Sequence, residues 1–233
     1  MPTFRGGVQD FFYLRKMQNL ERVQIFIDGG NFYHLALKKL NINSLDFSFE
    51  NFANFLADGR KIIDLGKRFY IGTIREKEGD LQSKKNMSEQ TKLFAKLDKT
   101  NWQRKTSKLR TRLEKVKIDQ RTIGYKELHE KGISSIKFHR MREKGIDVKI
   151  AVDMIIGAMD DKYDTAILVS SDTDLVPAVN TIINRFNKKV EYIGFSIFDS
   201  QNKRNTIKPS QALISRSSIS RVLVKNDIVK FIK

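Results

Sequence analysis

Residues 165–186 read TAILVSSDTDLVPAVNTIINRF. Thr165–Ser170 is rich in β-branched and apolar residues, which marks it as the clearest strand in the chain. Leu175–Phe186 follows at helical spacing, with Pro177 in the first turn, where a missing N–H costs nothing. Asp172 and Asp174 lie between the two, so a buried strand feeds a helix through an acidic turn. On the C-terminal side, Val190–Phe195 (VEYIGF) predicts another strand, and residues 219–232 a last apolar element. Upstream, Asp147–Met159 predicts a helix with Val148, Ala151, Val152, Ile155, Ile156 and Met159 on one stripe and Asp147 placed to cap it. Val23–Ile27 (VQIFI) predicts a buried strand that ends in Asp28-Gly29-Gly30, and a helical pattern runs from Asn31 to Leu40. Phe49, Phe52, Ala53, Phe55 and Leu56 recur at helical spacing, Phe69–Ile74 is a strand candidate, and Ser88–Leu97 is helical. Strands alternating with helices predict an α/β domain with a mostly parallel sheet.

The 233 residues suit one domain with an insertion or extension, read as an N-terminal extension over 1–20 and the domain over 21–233. The absence of cysteine excludes disulfide scaffolds, thiolate zinc sites, iron–sulfur clusters and cysteine nucleophiles. No apolar run approaches the roughly 18 residues of a membrane span. The first twenty residues lack an apolar signal-peptide core, so a cytoplasmic protein without a membrane partner is expected. A net charge of +17 favours a polyanionic partner, nucleic acid first and an anionic membrane surface second. Residues 84–126 hold 14 Lys/Arg against four Asp/Glu, a local +10. Within them, Trp102, Leu109, Leu113, Val116 and Ile123 fall near a heptad seam, which predicts a helical arm; NWQRKTS equally starts a polar strand.

The chain has no HExxH zinc pattern, no phosphate loop, no GxGxxG fingerprint and no GxSxG elbow. Carboxylates at strand ends remain: Asp28 after the first strand, Asp172 and Asp174 after the strongest one. In an open parallel sheet such strand ends frame the ligand crevice beside the topological switch point. Carboxylates brought together repel one another unless a cation joins them, and hard oxygen ligands favour Mg²⁺ or Mn²⁺. Each residue also has a plainer structural use. Asp28 can shape a turn, Asp172 or Asp174 can cap the following helix, and Asp147 reads more as a cap than as a ligand. Asp153 lies mid-helix beside the apolar stripe, where an unpaired carboxylate is costly, so a metal or Lys149 is expected as its partner. Asn31 serves either as a helix cap or to orient Asp28 and a water.

The segments FIDGGNFYH (26–34), KGIDVKIAVDMI (144–155) and LVSSDTDLVPAV (168–179) resemble the NYN domain, in the LabA-like (DUF88) branch of the PIN-like nucleases. Gln90, Phe94 and Leu97 resemble the helix between that family's second and third strands. The resemblance covers roughly 23–100 and 140–195. It implies a three-layer α/β/α fold and a divalent-metal-dependent ribonuclease; a basic insertion within about 101–142 is read as this chain's own addition, and single-stranded RNA as the substrate. Under this reading Asp28, Asp153, Asp172 and Asp174 hold Mg²⁺ or Mn²⁺, with Asp147 also on a motif position, and Asn31 and Ser171 orient water or phosphate. Lys105, Lys108, Arg110, Arg112 and Lys144 would contact RNA phosphates, and Trp102 and Tyr125 would stack on bases; the alternative is a solvated charged face whose Trp102 packs against the core. Two features depart from the family: Ser171 stands where glycine is usual, and the basic stretch from Trp102 to Arg142 has no counterpart. A non-catalytic RNA-binding regulator and a small-molecule phosphohydrolase are the alternatives, and a homodimer is left open.

Overall fold

The structure, a computed structural model, describes residues 20–74, 76, 79–143, 145–198 and 206–233, with 108–111 and 140–143 described by their backbone alone. Residues 1–19 and Lys144 lie outside the described residues. Seven strands form one sheet: β1 (Arg22–Asp28), β2 (Lys61–Thr73), β3 (Gln103–Lys117), β4 (Ser135–Glu143), β5 (Thr165–Val169), β6 (Lys189–Ser196) and β7 (Ile219–Val224). Their order is β4-β3-β2-β1-β5-β6-β7, parallel at every junction except β3–β4. The chain therefore steps outward from β1 through β2 and β3, returns to β5 on β1's other side, and steps outward again. The β1–β5 junction is the switch point of a doubly wound sheet.

Strand alternation sorts the core into two layers. On one face Val23, Ile25, Ile27, Phe69, Ile167, Val169, Ile193 and Phe195 pack under α1 (Gly29–Phe32), α2 (Phe49–Ala57), α3 (Leu81–Lys99) and α8 (Lys225–Val229). On the other, Phe26, Tyr70, Ala166, Leu168, Val190 and Tyr192 pack under α5 (Ile146–Met159), α6 (Val176–Phe186) and α7 (Gln211–Arg216). This is the three-layer α/β/α arrangement that the resemblance implied. Gly29 is fixed by packing: a Cβ there would stand 2.4 Å from the Phe69 ring and 2.9 Å from the Tyr70 carbonyl.

Three expectations are corrected. The helix stripe on α5 is the wrong one: Ile146, Ile150, Met154 and Ala158 are buried, whereas Val148, Val152, Ile156 and Met159 are exposed. A helix apolar on most of its circumference gives a weak periodic signal, so the pattern did not single out the inward face. The heptad arm is absent. Residues 103–117 form β3, whose first part pairs with β2 and whose remainder, Leu109–Lys117, pairs with β4 as a hairpin capped by α4 (Tyr125–Glu130). Trp102 is only 2% exposed and packs edge-on against Phe49 and Phe69, with ring centroids 6.3 and 6.2 Å away, so it cannot stack on a base.

Candidate functional site

The site is built where β1 and β5 end side by side. Asp28, the last residue of β1, has an extended backbone, and its Oδ1 accepts from the Asn31 amide at 2.9 Å, which makes it the N-cap of α1. The first helix is thus capped by Asp28, and Asn31 has another task. Its Oδ1 accepts from the Ser171 amide at 3.0 Å, tying the loop after β5 to the helix after β1. Ser170, fully buried, donates from Oγ to Asp28 Oδ2 at 3.3 Å and accepts from the Asp172 amide at 3.2 Å. Asp172 in turn caps the 3₁₀ turn Thr173–Leu175, with Oδ1 accepting from the Asp174 amide at 2.9 Å. Ser171 lies 3.1 Å from the buried Tyr192 hydroxyl through its Oγ, so a side chain is accommodated where the family usually has glycine.

Asp147 faces this loop from α5. The N-cap of that helix is Gly145 in the left-handed region, so Asp147 is not the cap but a first-turn carboxylate. Burial pushes its carboxyl above the ordinary range, and the charges of Asp172 and Asp174 and a hydrogen bond with Asp172 push it the same way. Asp28, Asn31, His34, Ile146 and Asp147 line one cavity of about 310 Å³. Burial, and then Lys38, hold the His34 imidazole below its usual range.

Asp153 is placed elsewhere. Its Oδ2 accepts from Tyr70 Oη at 2.8 Å and pairs with Arg68 Nη1 at 3.1 Å, with Lys105 Nζ 3.9 Å away. Six residues along α5, it lies about 9 Å from Asp147 along the helix axis and on a different side of the helix. Lys149, the other partner expected for it, instead donates its ammonium to the Thr106 carbonyl. Burial, then the Asp153 charge, drive the Tyr70 hydroxyl well above its usual range, so it stays protonated and donates. Sequence reading missed Arg68 and Tyr70. The available signal was their spacing of two in a strand, which puts both on the face that α5 covers.

The structure thus brings Asp147, Asp172 and Asp174 into mutual influence and hydrogen-bonds Asp28 and Asn31 into the same loop. It does not close them into a cage: among the described residues, no group of three or more His, Asp or Glu side chains could hold a metal ion. Of the expected RNA contacts, Lys105 and Arg112 lie on β3; Lys108 and Arg110 are placed by backbone only. The register sets Arg110 opposite Arg142, Arg112 opposite Arg140 and Lys115 opposite Lys137.

A parallel sheet that winds outward in both directions from β1 and β5, with acidic side chains at that switch point, defines the class: a doubly wound α/β domain. The NYN domain family model matches residues 22–216, and the chain belongs to that family, within the PIN-like nuclease superfamily. No curated protein matches the chain. Among solved structures, a Vibrio parahaemolyticus protein of unknown function is similar with a TM-score of 0.50 and 21% identity, covering 88% of this chain and 93% of that one. This likeness bears on the fold alone. No helix among the described residues is long and apolar enough to cross a membrane.

Proposed function

We propose that the chain is a divalent-metal-dependent ribonuclease that hydrolyses phosphodiester bonds of single-stranded RNA at the β1–β5 edge. The observation that carries this reading is Asp147, a partly buried carboxylate held against Asp172 and Asp174. Carboxylates pressed together in this way are stabilised by a cation, and an all-oxygen donor set suits Mg²⁺ or Mn²⁺. Mg²⁺ keeps several of its waters and is held by one or two carboxylates plus substrate phosphate, so the reading asks for no all-protein cage. Asp147 and Asp172 would hold the ion, with Asp28 and Asp174 acting directly or through water. Bound there, it would polarise the scissile phosphate and lower the pKa of an attacking water.

The remaining work falls to side chains of the chain itself. Asn31 holds the Ser171 amide and so fixes the distance between the two strand ends. Asp153 acts on position, locking α5 to β2 through Arg68 and Tyr70 and thereby setting the depth of Asp147. The β3–β4 hairpin supports the RNA side of the reading: like charges directly opposite one another destabilise an antiparallel pair, and a phosphate backbone lying across them would offset that cost. The test is incubation of purified protein with end-labelled single-stranded RNA in Mn²⁺, Mg²⁺ or EDTA. Cleavage is expected with either metal, with none in EDTA and none by Asp172→Asn, whose Asn retains the cap. An RNA-binding regulator without turnover uses the same surfaces and would bind in all conditions without cleaving.

A further inference from the structure

The helix after β1 separates two cavities, and Asp28 and Asp147 line only one of them. Asn31, His34 and Leu35 face the acidic cavity. Phe32, Tyr33 and Leu37 face a second one of about 450 Å³ on the other side. Gly29, the residue after Asp28, lines that second cavity, so the two share a wall at the same edge of the sheet. The wall is unusual: Tyr33–Leu37 is a π-helical turn, closed by the Lys38 amide donating to the Tyr33 carbonyl at 2.8 Å. Such turns are rare and occur often at functional sites.

The second cavity has the make-up of a preformed small-molecule site: apolar walls with a few polar groups at the mouth. Its floor is Phe32, Phe49, Phe69 and Leu93, all buried. Its far wall is fixed by Gln90, only 8% exposed, whose Nε2 donates to the Gly72 carbonyl at 2.8 Å while Oε1 accepts from the Ile74 amide at 2.8 Å. Asn41, Asn86 and Glu89 bring hydrogen-bonding groups to the cavity, and the Tyr33 ring is 41% exposed beside it.

We infer that this cavity receives one unstacked base of the RNA strand whose phosphate lies at the acidic site. The inference rests on the ribonuclease reading for its occupant. Single-stranded RNA is recognised by splaying bases onto aromatic rings and bonding their edges, and this cavity offers the exposed Tyr33 ring together with the polar groups of Asn41, Asn86 and Glu89. Its separation from the acidic cavity is one helix width, about 10 Å, a distance that one splayed strand can span. The cavity then sets which base stands near the cleaved bond, whereas the carboxylates and the basic hairpin act on phosphate and are indifferent to sequence.

The test uses the full chain in EDTA, so that binding is read without cleavage. Fluorescein-labelled RNA octamers, intact or carrying a single abasic site at successive positions, are titrated with wild type, Tyr33→Ala and Asn86→Trp. Tyr33 is exposed and Asn86 half-exposed, so neither change disturbs the core, and far-ultraviolet circular dichroism checks this. One abasic position is expected to weaken wild-type binding by about tenfold, as base–aromatic stacking does elsewhere. Both variants should lose that difference while keeping the salt dependence set by phosphate contacts. Equal affinity of wild type for intact and abasic strands at every position overturns the inference, as does a difference that both variants retain. Failure of wild type to cleave in Mn²⁺ sinks the ribonuclease reading by itself and leaves this binding result standing.

Discussion

The β1–β5 edge and the β3–β4 hairpin contrast in almost every physical respect. At the edge, Ser170 is fully buried and Asp28 is 6% exposed; Asp28, Asn31, Ser170, Ser171 and Asp172 form one hydrogen-bonded set. On the hairpin, Arg112, Lys115 and Lys117 stand in solvent and the register places like charges opposite each other. The edge positions atoms to a fraction of an ångström; the hairpin supplies charge over a length of strand. The proposed nuclease needs both, and separate parts of the chain would carry them, with separate sensitivities to mutation.

Stability measurements sharpen that contrast. Trp102 sits at the root of the hairpin but belongs to the core, so Trp102→Ala should cost about 3–5 kcal/mol in urea unfolding. Arg112→Gln, ten residues further along the chain, should stay within about 0.5 kcal/mol. Similar costs for the two would mean that the hairpin is part of the folded core. Changing Lys105, Lys108, Arg110 and Arg112 together to Gln acts on RNA instead: log K should fall less steeply with salt, by about 0.7 for each phosphate no longer neutralised, with metal binding unchanged. An unaltered slope would move the RNA path off the hairpin.

The smallest effect concerns Asp147 and pH. Its carboxyl is raised in the folded protein, so the ionised form opposes folding. That penalty is absent below the unfolded value of about 3.8, grows as pH rises toward the folded value, and is complete above it. Asp147→Asn should therefore raise the melting temperature by a few degrees at neutral pH in EDTA, with the gain fading as pH falls toward 4. Adding Mn²⁺ should raise the melting temperature of wild type more than that of the variant, by mass action. A variant no more stable than wild type at pH 7 would show that Asp147 is not under strain.

The same contrast decided what the sequence revealed. TAILVS and VQIFI are legible because a strand buried on both faces admits little else; all five residues of β5 are buried. Asp28 and Asp172 are legible because a carboxylate at a buried strand's end must be capped, paired or functional. The hairpin was not legible, since solvent on both faces removes the period that separates strand from helix, and Leu109, Leu113 and Val116 fit either. The early half of β2, KIIDLGKR, was missed because its register shifts against β1 and Leu65 takes a left-handed φ of 52°, which breaks the alternation. On α5 the fault was one of facing. Asp147 and Asp153 both lie on an apolar helix, and no pattern in the helix itself tells which one reaches the crevice. That depends on Arg68 and Tyr70, residues about eighty positions away that only the fold brings beside Asp153.

The central claim is that Asp147, and not Asp153, stands at the reacting phosphate, and one experiment addresses it directly. Single-turnover cleavage of labelled single-stranded RNA in Mn²⁺ is compared for wild type, Asp147→Asn and Asp153→Asn, alongside urea unfolding of each. Asp147→Asn should slow cleavage by about a hundredfold or more, the scale on which a preorganised group at a reacting centre acts, without loss of stability. Asp153→Asn should keep cleavage within about tenfold of wild type and lose about 1–3 kcal/mol of stability, because Arg68 and Tyr70 lose their charged partner. The reverse pattern, with Asp153→Asn inactive yet fully stable and Asp147→Asn active, would contradict the account.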